Sequence, residues 1–243
     1  MSPHHSEQTD RTLSVHLLGT VDFDAATALQ EYLIYQMSGE EGTSGALLLC
    51  EHPTIVTLGR GASIADLRCE REHLRQRNIP LRWVSRGGGA YAHGPGQLVA
   101  YLLLPIERLG LGVSEFRKKF ETAMVETCHE LKIPAKRDDT ELGVWGRNGH
   151  LAYFGAAVRS GVTCHGMFLN VSPKVDILSL TNTNPTGDAA TSVQAQHLGP
   201  HAMSSVREML MRHVSEQFEY ANLDVATGHP LLKRTYQRVY SNA

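Results

Sequence analysis

Residues 86–97 read RGGGAYAHGPGQ and form the most informative segment of the chain. Six of its twelve positions are glycine or proline, which predicts an irregular loop between two strands where backbone approaches another group closely. Arg86 and His93 are the polar side chains that such a loop would bring to a site, and its amides could hold a carbonyl, a carboxylate or a phosphate. A structural turn with a surface arginine and histidine explains the composition equally well. A P-loop is excluded because no Gly-Lys-Ser/Thr follows.

Strand patterns lie on both sides of this loop. Residues 81–85 lead into it, and the apolar run 98–104 follows it. Residues 13–18, 46–50 and 54–58 predict further strands upstream. Three more strands are predicted at 142–145, 151–158 and 163–171, with a hairpin turn at 146–149.

Helices are predicted between these strands, each after a side chain that can cap it. The helix starts are Asp22 (to Met37), Ser114 (to Leu131) and Ser192 or Ser204 (the latter to about Tyr220). The expected fold is therefore α/β in the α+β sense, a mixed β-sheet flanked by helices.

Size and composition narrow the possible functions. The 243 residues predict one domain over 13–243, preceded by a flexible tail at 1–12. A formal net charge of −2 gives no strong attraction to nucleic acid or to an anionic membrane, and no apolar run is long enough to cross a bilayer. The four cysteines form no CxxC pair and the N-terminus lacks a signal-peptide pattern. We therefore expect a cytoplasmic monomer with reduced thiols.

Several blocks in a fixed order show a family resemblance. Together with Arg86–Gln97, these blocks resemble the motifs of the lipoyl(octanoyl) transferases, and the resemblance covers about Leu13 to Tyr220. So many motifs in the same order indicate a common fold. The resemblance implies the catalytic-domain fold of biotin and lipoate protein ligases. The other blocks are Glu51-His52-Pro53, Thr57-Leu58-Gly59-Arg60, Gly143-Val144-Trp145, Ala152-Tyr153-Phe154-Gly155, Val162-Thr163-Cys164-His165-Gly166, Leu169-Asn170-Val171, Pro185-Thr186-Gly187 and Thr191-Ser192-Val193.

The resemblance also implies an activity. These enzymes move an octanoyl group from acyl carrier protein to a lysine of a lipoyl domain, in 2-oxoacid dehydrogenase or glycine cleavage proteins, without a metal or other cofactor. A cysteine in a Pro-Cys-Gly motif takes the acyl chain as a thioester, and a lysine after the Gly-Val-Trp hairpin lowers the pKa of that cysteine. The implied substrate-binding residues are Arg86, Gly87, Gly88, Gly89, Ala90, Tyr91, Ala92, His93, Tyr153, Phe154, Gly155, His165, Gly166, Met167 and Phe168.

Both catalytic positions are substituted in this chain. Thr186 stands at the cysteine position, and His150 stands at the lysine position, three residues before Tyr153. A thiol has a reference pKa of about 8.5, whereas an aliphatic hydroxyl is far less acidic and needs a general base. His150 could supply that base because imidazole titrates near neutral pH. Such a pair would form an ester, a poorer donor to an amine than a thioester, and the threonine methyl would crowd the attack path.

Two alternatives to chemistry at Thr186 and His150 are a different nucleophile and a ligase reaction. Cys164 is an alternative nucleophile beside His165, but adjacent strand residues face opposite sides. If His165 faces the pocket, Cys164 is expected to be a structural thiol in the other layer. The ATP-dependent lipoate ligases share the fold and need a lysine where His150 stands, which disfavours ligase activity. Two functions stay open: an acyltransferase with an atypical active site, or a catalytically inactive relative that binds an octanoyl or lipoyl group or its carrier domain.

The predicted pocket carries a further substitution. The family usually has Thr-Tyr where this chain has Tyr91-Ala92, so the pocket changes shape and the accepted chain length is open. His52, His93 and His165 could also meet in space, and three histidines can bind a metal. Polar pocket residues are the favoured interpretation, and no metal is predicted.

Overall fold

A computed structural model describes residues 11–39, 41–182, 189–196, 199 and 201–232. Its helices are α1 (Phe23–Gly39), α2 (Arg71–Gln76), α3 (Val113–Glu130), α4 (Val175–Leu178), α5 (Val193–Gln196) and α6 (Met203–Gln217), with a 3-10 turn at Ile64–Asp66. Its strands are β1 (Thr12–Thr20), β2 (Gly45–Glu51), β3 (Ile55–Leu58), β4 (Leu81–Trp83), β5 (Ala90–His93), β6 (Gln97–Leu103), β7 (Lys136–Arg137), β8 (Val144–Gly146), β9 (Gly149–Arg159), β10 (Val162–Asn170) and β11 (Asn222–Thr227).

The strands form two sheets. The larger sheet has the order β11-β1-β2-β6-β10-β9-β8-β7, with parallel pairing only among its first three strands. The smaller sheet has the order β4-β3-β5, with β3 parallel to β4 and antiparallel to β5. The predicted mixed sheet with flanking helices is confirmed, and the second sheet is an addition to it.

Two apolar layers explain why the central strands read as continuous apolar runs. Leu47 and Leu49 of β2 pack with α3 and α6 on one face, while Leu48 and Cys50 pack with α1 on the other. Because helices cover both faces of the sheet, every residue of such a strand loses its contact with water. A third cluster joins the small sheet to α2 and to Ile177.

Several local predictions are confirmed. The Asp22 carboxylate accepts from the Asp24 amide at 2.9 Å and from the Ala25 amide at 3.3 Å, so it caps α1. The predicted hairpin joins β8 to β9 through a turn at residues 147–148. The Ser192 hydroxyl accepts from the Ala195 amide at 3.2 Å at the start of α5.

Other local predictions are wrong. The N-cap of α3 is Gly112 rather than Ser114, and that of α6 is Ala202 rather than Ser204. The predicted loop 86–97 contains β5, which pairs with β3 in a regular ladder. Strand β11 was missed because it is an exposed strand at the edge of the sheet, where its one ladder among the described residues is with β1.

The ends of the chain complete the outline. Residues 1–10 of the predicted tail lie outside the described residues, and β1 begins at Thr12. Within the described residues no helix combines the length and apolar character needed to span a membrane.

Candidate functional site

Arg86 holds the glycine-rich loop against β3. Its guanidinium donates to the carbonyls of Gly87 at 2.9 Å and Gly89 at 3.1 Å, and to Oγ1 and the carbonyl of Thr57 at 2.6 and 3.1 Å. It also lies 3.9 Å from the centre of the Tyr91 ring. Burial lowers the pKa of Arg86 to about 10, so the side chain remains cationic at neutral pH. The loop is thus a buried, ordered structure, and a turn with a surface arginine is excluded.

Two glycines let the loop approach β9. A Cβ at Gly155 would lie 2.8 Å from the Gly87 carbonyl oxygen, and the Gly87 amide donates to the Ala156 carbonyl at 2.9 Å. Gly88 has a φ of +81°, and a Cβ there would lie 2.4 Å from the Tyr91 hydroxyl. Side chains at these positions would push the loop off the sheet.

A cleft beneath the loop is walled by aromatic rings. The Tyr91 ring centre lies 5.3 Å from that of Tyr153 and 5.4 Å from that of Phe168, and the latter two rings stack at 5.0 Å. The Tyr91 hydroxyl donates to the Phe154 carbonyl at 3.0 Å. The remaining cavity is about 20 Å³, enough for one water molecule. The cleft at the predicted acyl pocket therefore consists of aromatic walls, with the Tyr91 ring occupying most of the space between them, and its role in binding an acyl chain stays a prediction.

Most of the predicted substrate-binding residues meet at this cleft. The side chain of Ala92 instead packs under the small sheet. Those of Phe154 and its ladder partner Met167 pack in the core cluster on the opposite face of the large sheet, where Phe154 contacts Phe116, although Met167 also borders the cleft. Gly88 and Gly89 border a neighbouring recess. Phe23, Val99 and Tyr101 join the predicted residues in lining the cleft, which otherwise consists of Arg86, Tyr91, His93, Tyr153, Gly155, His165, Gly166, Met167 and Phe168.

A buried histidine and tyrosine stand at the back of the cleft. The His52 Nε2 lies 2.7 Å from the Tyr101 hydroxyl, and its Nδ1 lies 2.8 Å from the Val21 carbonyl. The carbonyl accepts only, so Nδ1 carries the proton and Nε2 accepts from Tyr101. Burial lowers the pKa of His52 and raises that of Tyr101, so both groups are neutral.

His93 presents a nitrogen to the same cleft. Its Nε2 lies 3.2 Å from Oγ1 of Thr57, whereas its buried Nδ1 has no hydrogen-bond partner among the described residues. Burial, followed by the nearby His52, Arg86 and His165, lowers the pKa of His93 well below its usual value. A neutral imidazole with an open nitrogen suits a polar atom of a bound ligand.

His165 interrupts the regular alternation of β10. Its φ is +58°, and its amide donates to Oε1 of Gln30 in α1 at 2.7 Å instead of continuing a flat strand. As a result Cys164 and His165 line one recess of about 330 Å³, together with Gln30. The expectation that these neighbours face opposite sides is therefore wrong, because it assumed an unbroken pleat.

Cys164 is nevertheless a buried thiol. It is 3% exposed, and its Sγ donates to the Ala157 carbonyl at 3.5 Å. Burial raises the pKa of Cys164, which disfavours the thiolate that a nucleophile requires. The preference for a structural thiol is consistent with this environment.

His150 lies at the edge of the cleft, between two rings. Its ring stacks on Trp145 at 4.3 Å with an interplanar angle of 7°, and lies 3.9 Å from the Tyr153 ring. It borders an open recess of about 300 Å³ that it shares with Tyr91, so it faces the glycine-rich loop as predicted. The other residues around this recess are Gly61, Asp66, Gly88, Gly89, Thr140, Glu141, Leu142 and Asn182.

The environment of His150 differs from that of a lysine-dependent site. Among the described residues that line its recess there is neither lysine nor arginine. Thr186 lies outside the described residues, so its approach to His150 stays a prediction. The described chain on both sides of it is placed at the recess: Asn182 lines the recess, and the Ala189 carbonyl accepts from the His150 amide at 2.9 Å.

The predicted absence of a metal remains a prediction. In the described part of the chain, the side chains close enough to share an ion are those of Glu126, His213 and Glu216, on α3 and α6. The three histidines considered from the sequence are not such a group in the same part of the chain.

Sequence reasoning missed Gln30 and Tyr101. Gln30 lies between Ala26 and Ile34 on the buried stripe of α1, where a polar residue is unusual. Tyr101 stands in the middle of an otherwise aliphatic buried strand. A polar atom at a predicted core position was the signal in both cases.

Comparisons with known proteins agree on one group of relatives. Residues 22–221 match the family model described as Lipoyl protein ligase A/B catalytic domain. An octanoyltransferase of Nitratidesulfovibrio vulgaris (strain DP4) is 34% identical over 217 residues, which cover 88% of this chain and 98% of that protein. An octanoyltransferase of Geotalea uraniireducens (strain Rf4) is 34% identical over 193 residues, which cover 78% and 86%.

The fold has a solved counterpart. A bi-partite lipoate protein ligase from Thermoplasma acidophilum aligns with a TM-score of 0.71 and 17% identity, covering 91% of this chain and 89% of that one. At this identity the likeness concerns the fold alone. The predicted catalytic-domain fold of biotin and lipoate protein ligases is confirmed.

Proposed function

The chain belongs to the lipoyl protein ligase A/B catalytic domain family, and we propose that it acts as an octanoyltransferase of lipoate metabolism. Relatives that carry this name match it over most of their length. The observation that carries the proposal is the meeting of Arg86, His93 and His165 at one aromatic cleft, with His150 at its edge. Apolar walls with a few convergent polar groups suit an acyl chain that ends in a carbonyl.

The proposed donor is octanoylated acyl carrier protein, and the proposed acceptor is a lysine of a lipoyl domain. Octanoyltransferase relatives and the structural likeness to a lipoate protein ligase support this class of partner. The open recess beside His150 offers a place where a carrier-bound thioester and a lysine amine can meet. No cofactor is needed for exchange between these groups.

The proposed chemistry uses Thr186 and His150. His150 takes the proton of the Thr186 hydroxyl while the oxygen attacks the octanoyl thioester. The carbon–sulfur bond breaks, the carrier thiol leaves with the proton, and an octanoyl ester remains on Thr186. The lysine amine then attacks this ester, an amide forms, and the proton that the amine loses returns to the Thr186 oxygen.

A non-catalytic binder is the second candidate, favoured by a specific observation. The cleft has apolar walls, but the positions to which the resemblance assigns the family's chemistry carry Thr186 and His150, and the described lining of the recess includes neither lysine nor arginine. A protein of this kind would bind an octanoyl or lipoyl group, or its carrier domain, without turnover.

Intact-protein mass spectrometry after incubation with octanoyl-acyl carrier protein separates the two candidates. Transfer through the protein predicts a covalent octanoyl adduct that maps to Thr186 and disappears in Thr186→Ala. Cys164→Ser is the matched control and should retain the adduct. Binding of the octanoyl carrier without an adduct, and without octanoylation of an added lipoyl domain, would establish the binder instead.

A further inference from the structure

Two larger recesses adjoin the narrow cleft. The recess of about 300 Å³ beside His150 shares Tyr91 with the cleft. The recess of about 330 Å³ beside Gln30 shares Phe23 and His165 with it. Between them the cleft has room for one water molecule. The Tyr91 ring borders both the cleft and the His150 recess, beside the Tyr153 ring that contacts His150 and Phe168.

Tyr91 is held in this position by several contacts. Its hydroxyl donates to the Phe154 carbonyl, its ring lies under the Arg86 guanidinium, and its edge meets Phe168. The glycine at position 88 leaves the space that the hydroxyl occupies. One hydrogen bond, one cation–π contact and the packing of a ring that is 4% exposed form an ordered closure, and an acyl chain that fills the same apolar space can replace the packing.

We propose that Tyr91 selects the acyl chain by its length. With its hydroxyl bound to the Phe154 carbonyl, the ring admits short acyl groups at the His150 recess and excludes an eight-carbon chain. An octanoyl group enters the cleft only when this bond breaks and the ring moves away from Tyr153 and Phe168. The inference rests on the proposed function, because it places the acyl carbonyl beside His150.

The closure has a measurable effect on affinity. If a ligand binds only to the open form, its apparent affinity is its affinity for that form multiplied by the fraction of molecules that are open. Removing the Tyr91 hydroxyl destabilises the closed form by one hydrogen bond, so Tyr91→Phe should bind an octanoyl ligand about two- to tenfold more tightly. Tyr91→Thr removes the ring as well and should gain about tenfold or more. A butyryl ligand, which stops before the ring, should change by less than about twofold.

Calorimetric titration of the full chain tests this. The probes are amide analogues of octanoyl- and butyryl-pantetheine, in which nitrogen replaces the thioester sulfur so that no turnover occurs. Tyr35→Phe and Tyr35→Thr are matched controls, because Tyr35 is 78% exposed on α1. Circular dichroism confirms that each variant is folded, and Tyr91→Phe keeps the ring if Tyr91→Thr is unstable.

Each outcome decides the proposal. Tighter binding of the octanoyl analogue alone, in the order threonine, phenylalanine, wild type, supports it. Equal gains for both analogues, unchanged binding in folded variants, or no binding of either analogue overturns it. Length-dependent binding without octanoyl transfer from the natural carrier would overturn only the proposed catalysis.

Discussion

The cleft beneath Tyr91 and the recess beside His150 are neighbours with opposite construction. The cleft is narrowed by stacked rings to room for about one water molecule, and it is surrounded by buried, neutral imidazoles. The recess is larger, about 300 Å³, and it carries Asp66 and Glu141 with neither lysine nor arginine among its described lining residues. In the proposed function, aromatic walls would bind the chain, whereas the reacting part would consist of His150 and, by prediction, Thr186. Binding and chemistry in this protein can be altered separately.

The largest effect is expected from restoring the reactive groups. The double variant Thr186→Cys with His150→Lys should raise octanoyl transfer to a lipoyl domain on the order of 100-fold, because it supplies a thiol and a cation that lowers its pKa. The measurement is octanoylation of the lipoyl domain followed by mass spectrometry. Thr186→Ala with His150→Lys is the control. A folded double variant without a gain would mean that the cleft itself no longer accepts the chain.

A second change removes the ring that belongs to both regions. Tyr153 contacts His150 on one side and Phe168 on the other, and it is 2% exposed. Tyr153→Ala should reduce the free energy of unfolding by about 3–5 kcal/mol, through lost burial and an incompletely filled cavity. Urea unfolding measures this, and the exposed Tyr35→Ala should change it by less than about 0.5 kcal/mol. A loss below about 1 kcal/mol would show that the two regions do not share this ring as a support.

A smaller effect concerns the imidazoles of the cleft. Burial, reinforced by Arg86 and Arg159, lowers the pKa of His165 to about 4, whereas its value in the unfolded chain is about 6.5. Between these pH values the unfolded chain binds a proton that the folded chain does not bind, so the free energy of unfolding falls as the pH falls. Above a pH of about 6.5, the contribution of His165 to the free energy of unfolding is constant. Between pH 7.5 and pH 5 this contribution is on the order of 2 kcal/mol.

Two variants isolate the contribution of His165 to the pH dependence of stability. Urea unfolding of His165→Asn at the two pH values should show a weaker pH dependence than the wild type, and His73→Asn, at an exposed position in α2, should not. An unchanged pH dependence in His165→Asn would mean that the folded protein accommodates the protonated imidazole.

The elements that the sequence predicted well are those determined locally. The Asp22 cap depends on amides two and three residues away, and the turn at 147–148 depends on the residues beside it. The run at residues 46–50 reads as a strand because both faces are buried. The family motifs then located Arg86, His93 and His165 at one cleft, and His150 at its edge.

The features that escaped prediction depend on contacts between distant residues. Strand β5 was hidden in a glycine-rich segment because its partner β3 lies about thirty residues earlier. Ser114 has the chemistry of a cap, yet the chain enters α3 at Gly112. The closure of the cleft follows from the hydroxyl of Tyr91 reaching the carbonyl of Phe154, 63 positions later. Local sequence patterns carry no information about such contacts between residues that are distant in sequence.

The bond between Gln30 and the His165 amide has a consequence for building chimaeras of this family. It makes α1 and the bend of β10 a single module, because the helix supplies the acceptor that the bent strand needs. A hybrid that imports α1 from a relative should therefore import β10 with it, or retain glutamine at position 30. Chimaeras that keep the hydrogen bond between Gln30 and the His165 amide should preserve the cleft. Chimaeras that lose this bond should first lose the bend of β10 at His165.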